Sequence, residues 1–410
     1  MRRPFLFSLL AAASTMAMAQ SAVTLYGIAD VGVTAVSGLR DGTAKQLVSG
    51  IMEGSRFGVR GDEDLGGGYR VLFTLEHRLE LDFGGISNRP VTGSQLPDRV
   101  SQAAQLGLPL AFQPVVDGVA GSLGSTLGVN LNGAFWDRQA FIAFVTPVGG
   151  ILAGRQYTPA YEVIATFDTL GTQSPLAAGQ VGSIPATVDI RANNSLAYRI
   201  RLGGLSAALM VTAAEGSTTT GRLIGLNAIY KGKGYSVGLG HNTRENELGQ
   251  TSLTSTIVGG TLDIGPGTVS AMVGQVTDDN PTGVSSIGAL VAPQVGAANG
   301  ALVQSAFTEA LKQDAQLVHV GYKMTTGVNT FYVAYTQLND KRASDADTRS
   351  YGVAYTYSLS KRTDLNASVT RFDNSGLGQA APGAAGYLGG VTASAGTDST
   401  SVALGIRHRF

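Results

Sequence analysis

The sequence predicts an all-β protein, a 16-stranded antiparallel β-barrel that crosses a membrane. Three observations carry that expectation. Apolar and polar residues alternate with a period of two over stretches longer than ordinary strands. The connections between those stretches alternate between short and long, and a secretory leader precedes them. The composition agrees with this reading. The 410 residues include 56 glycines, 13 prolines and no cysteine, with 43% hydrophobic and 14% charged side chains. From Gln20 onward no run of 18 apolar residues occurs, so no helical span is expected. The lack of cysteine excludes a disulfide framework, a thiolate zinc site and a cysteine nucleophile. With 29 basic and 29 acidic side chains, there is no net pull toward nucleic acid.

The chain opens on Arg2-Arg3, a short apolar run from Pro4 to Ala13, and Ala17-Met18-Ala19 before Gln20. A basic start, an apolar stretch too short to span a bilayer and an Ala-x-Ala site mark a cleaved leader. Residues 1–19 are therefore expected to be removed and 20–410 to form one barrel domain. Without Arg2 and Arg3 the basic side chains fall two short of the 29 acidic ones, a formal charge of −2.

The strands follow in order. Val23, Leu25, Ala29, Val31 and Val33 alternate with Thr24, Tyr26, Asp30 and Thr34. From Tyr69 to Phe83 the odd positions are mainly apolar, while the even ones include Arg70, Thr74, Glu76, Arg78 and Glu80. In a strand these sets face opposite ways. An alternation this long exceeds the roughly 5–6 residues of a soluble strand and suits the ~9–11 of a tilted membrane strand. The same rhythm returns at Leu196–Leu202, Tyr235–Leu239 and Tyr351–Tyr357. It closes the chain at Val402, Leu404, Ile406, His408 and Phe410 against Ser401, Ala403, Gly405, Arg407 and Arg409. Small and polar residues fill the second face, so that face is expected to meet water.

Short connections fall at Asp62–Gly68, Pro147–Gly150, Leu202–Gly204, Lys231–Gly234, Gly265–Gly267, Thr325–Val328 and Leu359–Arg362. Long ones fall at 38–50, 84–133, 158–190, 215–221, 244–251, 278–314, 339–348 and 374–398, here loops 1 to 8. Strict alternation places all short turns at one end of a barrel and all long loops at the other, as in outer-membrane barrels. An even strand number lets the first and last strands pair, leaving no edge in lipid. A soluble propeller would repeat a blade motif every ~40–50 residues, and none is visible.

At the level of motifs, Gln20–Gly27, Arg56–Gly68, Gly154-Arg155-Gln156-Tyr157, Asn193–Tyr198, Leu359–Leu365 and Gly405–Phe410 resemble the trimeric general porins of β-proteobacteria, the neisserial and Burkholderia type. The matches span essentially the whole mature chain. The resemblance implies a 16-stranded barrel with the third loop folded into the pore, assembled as a homotrimer in the Gram-negative outer membrane. It also implies a terminal Phe410 read by the assembly machinery. The partners it implies are lipid, lipopolysaccharide and small polar or anionic solutes; no cofactor, metal or nucleic acid is expected. The function implied is passive diffusion of small hydrophilic solutes, with a weak lean to anions.

A channel needs wall charges and a constriction rather than a nucleophile. The even face of the second and third strands carries Arg56, Arg60, Arg70 and Arg78, and Arg155 precedes loop 3. By resemblance, Arg56, Arg78 and Arg155 form the basic side of an eyelet, and Glu162, Asp168 and Asp189 of loop 3 supply the facing acids. Charges opposed across a narrow wet gap set up a transverse field that orients polar solutes. The facing of Arg138 and Arg155 stays open, because the fourth strand is apolar on both faces. Packing against a neighbouring subunit would explain that apolarity. Loop 2 is long, with an apolar middle from Ala103 to Leu131, and the spacing in loop 6 predicts an amphipathic helix over Ala301–Ala315 with Leu302, Ala306, Ala310 and Leu311 in phase. These loops are either lid and contact packing or elements that narrow the mouth.

Other chemistry finds little support. Asp62-Glu63-Asp64 lacks the spacing of a calcium loop, and Gly66-Gly67-Gly68 lacks the Lys-Ser/Thr of a phosphate cradle. The four histidines lie on separate strands, with His77, His241 and His408 on expected lipid-side positions. A membrane hydrolase, which needs a base and nucleophile together, is therefore not expected, and neither is an adhesin with a barrel too narrow to conduct.

Overall fold

The computed structural model describes residues 22–85, 92–93, 95–124, 134–171, 174–182, 184–215, 221–383 and 389–410. The leader 1–19 and the 125–133 end of loop 2 lie outside the described residues. Sixteen antiparallel strands close into a barrel. They are β1 Ala22–Leu39, β2 in two pieces, Gly42–Ser49 and Arg56–Gly66, β3 Tyr69–Arg78, β4 Gln139–Thr146 and β5 Gly149–Tyr157. Then come β6 Arg191–Leu202, β7 Leu205–Thr212, β8 Leu223–Lys231, β9 Tyr235–Glu245, β10 Thr251–Ile264 and β11 Gly267–Asp278. The last are β12 Gln313–Thr326, β13 Asn329–Asp340, β14 Thr348–Ser358, β15 Thr363–Asn374 and β16 Ser399–Arg409. Each pairs with the next, and β16 returns to β1 with Val31 opposite Ile406. Gly27 and Phe410 exchange backbone hydrogen bonds at 3.1 Å in both directions, sealing the seam.

The period of two sorts the wall as expected. Val333, Val353, Val369 and Val402 lie side by side across β13 to β16, each about half exposed on the outer surface. One residue along, Ala354, Ser368 and Ala403 are in register and buried on the inner side. Outward apolar side chains have no protein partner because lipid is their solvent; inward small ones leave room for what fills the lumen.

Three sequence expectations change. Residues 38–50 are not a long loop: β1 and β2 turn tightly at Arg40-Asp41, with Leu39 paired to Gly42, whose φ of +90° suits only glycine well. The irregularity lies instead at residues 50–55, inside β2. The alternation from Tyr69 to Phe83 forms a strand only to Arg78; beyond it Glu80 N–H and Gly84 N–H close a turn onto Gly85 and Glu80 carbonyls. The helix of loop 6 runs from Ala297 to Leu311 and buries Gly300, Val303, Phe307 and Leu311, while Leu302 is exposed. Of the face read by periodicity, Ala306, Ala310 and Leu311 pack on the loop core and only Leu302 turns out, with Val303 and Phe307 taking the centre.

Five helices occur among the described residues: α1 Asp98–Ser101 and α2 Gln113–Gly124 in loop 2, α3 Pro159–Phe167 in loop 3, and α4 Ile287–Val295 and α5 Ala297–Leu311 in loop 6. Loops 2 and 6 share one apolar core, with Val100, Val116 and Val119 against Ile287, Val303 and Phe307. Asp98 ties this roof to loop 1 through Arg40 at 3.0 Å, and its N–H donates to Gln379 Oε1 of loop 8 at 2.7 Å.

Loop 3 is built to lie inside. Thr158 caps α3 by accepting from Tyr161 N–H, and Pro159 occupies its first turn. The apolar face Ala160, Val163, Ile164 and Phe167 packs on β8 to β10. That close approach requires glycine on the wall: a Cβ at Gly240 would sit 2.8 Å from Val163 Cγ2 and 2.9 Å from Ala160 Cα.

Candidate functional site

Inward side chains on and beside β1 to β6 form two adjoining networks of ion pairs and hydrogen bonds. Glu76 of β3 accepts from Arg138 Nε at 2.7 Å and from the Tyr26 hydroxyl at 3.1 Å, with Arg56 Nε 3.8 Å away. Arg56 reaches Glu53 at 2.8 Å. Asp137 accepts the Arg78 N–H at 2.9 Å and pairs with its Nε at 3.4 Å, while the Asp137 carbonyl takes Arg155 Nε at 2.7 Å. Arg155 also donates to Asn193 Oδ1 at 2.7 Å. Arg138 and Arg191 both donate to the Tyr157 hydroxyl, at 3.0 and 3.1 Å. The Arg191 guanidinium lies 4.7 Å from the Tyr157 ring centroid, and that ring stacks on Tyr161 of loop 3. At the other end, Glu53 continues to Arg407 at 3.0 Å and Arg409 at 2.9 Å, which share Asp364. Both Arg138 and Arg155 therefore point into the lumen, settling the facing that local alternation left open.

The expected residues fall into three groups. Arg56, Arg78 and Arg155 sit together in this arc. Arg60 is exposed, its guanidinium 5.3 Å from the Tyr26 ring centroid, and Arg70 stands apart, paired with Asp62 beside the short turn. The three loop 3 acids take their partners elsewhere. Glu162 meets Arg199 at 2.6 Å and Asn227 at 2.9 Å on the β6–β8 wall, and Asp189 meets Arg244 at 2.7 Å. Asp168 accepts the N–H groups of Leu170 and Ala178 at 2.8 and 2.7 Å, holding the loop's own turn. A buried loop carboxylate takes the nearest donors, and here those belong to the loop and its dock.

Sequence reasoning missed Glu53, Asp137, Arg191 and Asp364 as site residues. Asp364 and Arg191 lay on inward phases and could have been found; Glu53 lies in the break of β2, where no phase exists. Glu80, just beyond β3, has its carboxyl pushed up to about 7 by burial, which outweighs the opposing pull of Arg78. The histidines hold structure. His319 is buried, its Nε2 accepting from Thr169 N–H at 3.2 Å and its Nδ1 meeting the Thr336 hydroxyl at 2.8 Å, which pins loop 3 to β12 and β13. His77 points outward as expected but is covered by Phe57, Phe135 and Trp136 rather than bare.

Loop 3 continues from α3 past His319 to Leu170 and Leu176, which pack on Ala334, Ala354 and Ala403 of β13, β14 and β16. It thus follows the wall from β8 round to β16; most of the arginine arc lies on β2 to β6, and Arg407 and Arg409 of β16 join it through Glu53. An electropositive wall beside an inserted loop can bind and pass charged solutes; among the described residues the site holds no paired base and nucleophile.

The family model described as Gram-negative porin matches residues 7–377. Outer membrane porin protein 32 of Delftia acidovorans is 26% identical, the match covering 97% of each chain. An outer membrane porin protein of Bordetella pertussis is 25% identical over 98% of each. Among solved structures, an anion-selective porin from Comamonas acidovorans superposes with a TM-score of 0.69 at 22% identity, covering 95% of this chain and all of that one. OmpF of Salmonella typhi, in complex with daunomycin, gives 0.57 at 15% identity, covering 95% and 97%.

Proposed function

The chain belongs to the Gram-negative porin family, and from that premise we propose that its water-filled lumen favours small anions at a constriction between loop 3 and the β2–β6 wall. As an outer-membrane porin it conducts solutes down their own gradients. The observation that carries the anion preference is the charge balance of the arc: Arg56, Arg78, Arg138, Arg155 and Arg191 outnumber Glu53, Glu76 and Asp137, and Glu80 is partly protonated near neutral pH. A lumen lined by an excess of fixed cations concentrates anions and repels cations. The relative described as anion-selective supports the same reading.

Arg56, Arg78 and Arg155, with Arg138 and Arg191, act as the selective wall; Arg60 and Arg70 contribute to the approach. Glu162, Asp168 and Asp189 set the position of loop 3 rather than the field itself. Residues 1–19 act as a leader, and the mature barrel assembles as a homotrimer in contact with lipopolysaccharide. The outward aromatic cluster of Phe57, His77, Phe135 and Trp136 supports such an assembly, since apolar aromatic patches of this kind suit a protein partner or the headgroup layer.

Planar-bilayer recording tests the proposal. Purified protein should open in triplet steps, and the reversal potential in a potassium chloride gradient should take the sign of chloride preference. Cation preference would overturn the arginine argument, and a silent bilayer would overturn conduction.

A further inference from the structure

The second strand breaks between Ser49 and Arg56 while β1 runs past it without interruption. Backbone groups without ladder partners are costly in a membrane wall. Asp30 of β1 answers most of that cost. Its side chain is fully buried, and its carboxylate accepts the N–H groups of Ile51 at 2.9 Å, Met52 at 3.0 Å and Glu53 at 2.9 Å. Its own carbonyl accepts from Gly50 N–H at 2.7 Å and the Ser55 hydroxyl at 2.8 Å. The break is thus a compact rib wound around one carboxylate.

The rib presents two surfaces. Ile51, wholly buried, lies so near the wall that a Cβ on Gly405 would come within 2.9 Å of its Cγ1. Together with Met52 it packs on Leu170 and Leu176 of loop 3. Loop 3, docked through α3 on β8 to β10, therefore reaches the rib at Leu170 and Leu176 before it turns back toward β6. The second surface is Glu53, whose Oε1 pairs with Arg56 while Oε2 pairs with Arg407 and Arg409.

We propose that residues 50–55 form a second jaw of the constriction, catching the far side of loop 3 through Ile51 and Met52 and tempering the pull of three arginines on anions through Glu53. Asp30 is the positioning residue of this jaw. The proposal rests on the channel reading above. α3 and His319 hold loop 3 on β8 to β13, and the rib adds a hold at its far side, so that it keeps one aperture.

Single-channel recording on the purified full chain tests it. Met52→Ser and Leu176→Ser open the one apolar cluster that rib and loop 3 share from its two sides, so each should give a noisier unitary conductance, larger by about 1.5-fold, and the double variant should go little further than either. Asp30→Asn should do the same; should it fail to fold, the other two carry the test. Glu53→Gln should raise the anion-over-cation permeability ratio by about twofold. Wild-type amplitude and noise in both Met52→Ser and Leu176→Ser, or an unmoved reversal potential in Glu53→Gln, would overturn the jaw while leaving the channel intact. A silent wild type would instead remove the channel reading, and the jaw with it.

Discussion

Arg138 and Glu76 meet Nε to Oε1 at 2.7 Å, with side chains only 3% and 7% exposed. Glu76 also lies near Arg56, so one carboxylate stands between two guanidiniums. Removing it leaves both charges facing the lumen. Glu76→Gln should move the reversal potential further toward anions. It should also lower stability by about 3 kcal/mol, because breaking a buried pair strands its partner. The first effect is read in bilayers and the second by thermal unfolding in detergent; a variant shifted in neither would show that Glu76 is neutralised elsewhere.

Glu80 should make selectivity depend on pH. Burial raises its folded-state carboxyl from 4.5 to about 7. The folded barrel therefore binds this proton more tightly than the unfolded chain. The contribution to stability is full below about 4.5 and is lost as pH rises through about 7. Across the same window the arc gains a negative charge, so anion preference should decline as pH is raised from about 5 to about 8, while Glu80→Gln should flatten that dependence. Reversal potentials measured at several pH values check it.

Gly240 admits α3. In Gly240→Val the new side chain meets Val163 and Ala160 at distances no packing tolerates. Helix α3 should leave the wall, residues 158–190 should become more susceptible to limited proteolysis, and the unitary conductance should change. Unaltered cleavage and conductance would mean that the loop is held without this dock.

The roof of loops 2 and 6 should unfold apart from the barrel. Phe307 is wholly buried in its core. Phe307→Ala should cost about 3–5 kcal/mol locally. Hydrogen exchange should quicken in 95–124 and 284–311 while the strands keep their protection. Equal loss of protection in β12 and β13 would show that roof and wall unfold together.

The arginines were more legible than the acids. Arg56 and Arg78 fall on the inward phase of long alternations, and a phase is a property of the backbone alone. Glu162, Asp168 and Asp189 lie in loop 3, and a loop has no phase. Their partners Arg199, Arg244 and the N–H groups of Leu170 and Ala178 became visible only when the loop was seen against its wall. Leu302 shows the same limit in a helix, where period gave the element and packing decided which side chains turn in.

By itself the sequence determined the wall. Outward Val353 and Val402 beside inward Ala354 and Ala403 follow from a two-residue period meeting lipid on one side and water on the other. The even number of strands follows from connections that alternate in length. Tertiary structure alone decided what occupies the lumen: the rib around Asp30, the course of loop 3 from Gly240 to Leu176, and the linking of Arg138 to Arg191 through Tyr157. The physical reason is range. Alternation is written between neighbours in the chain, whereas these contacts join residues tens to hundreds of positions apart, and only closure of the barrel brings them within reach.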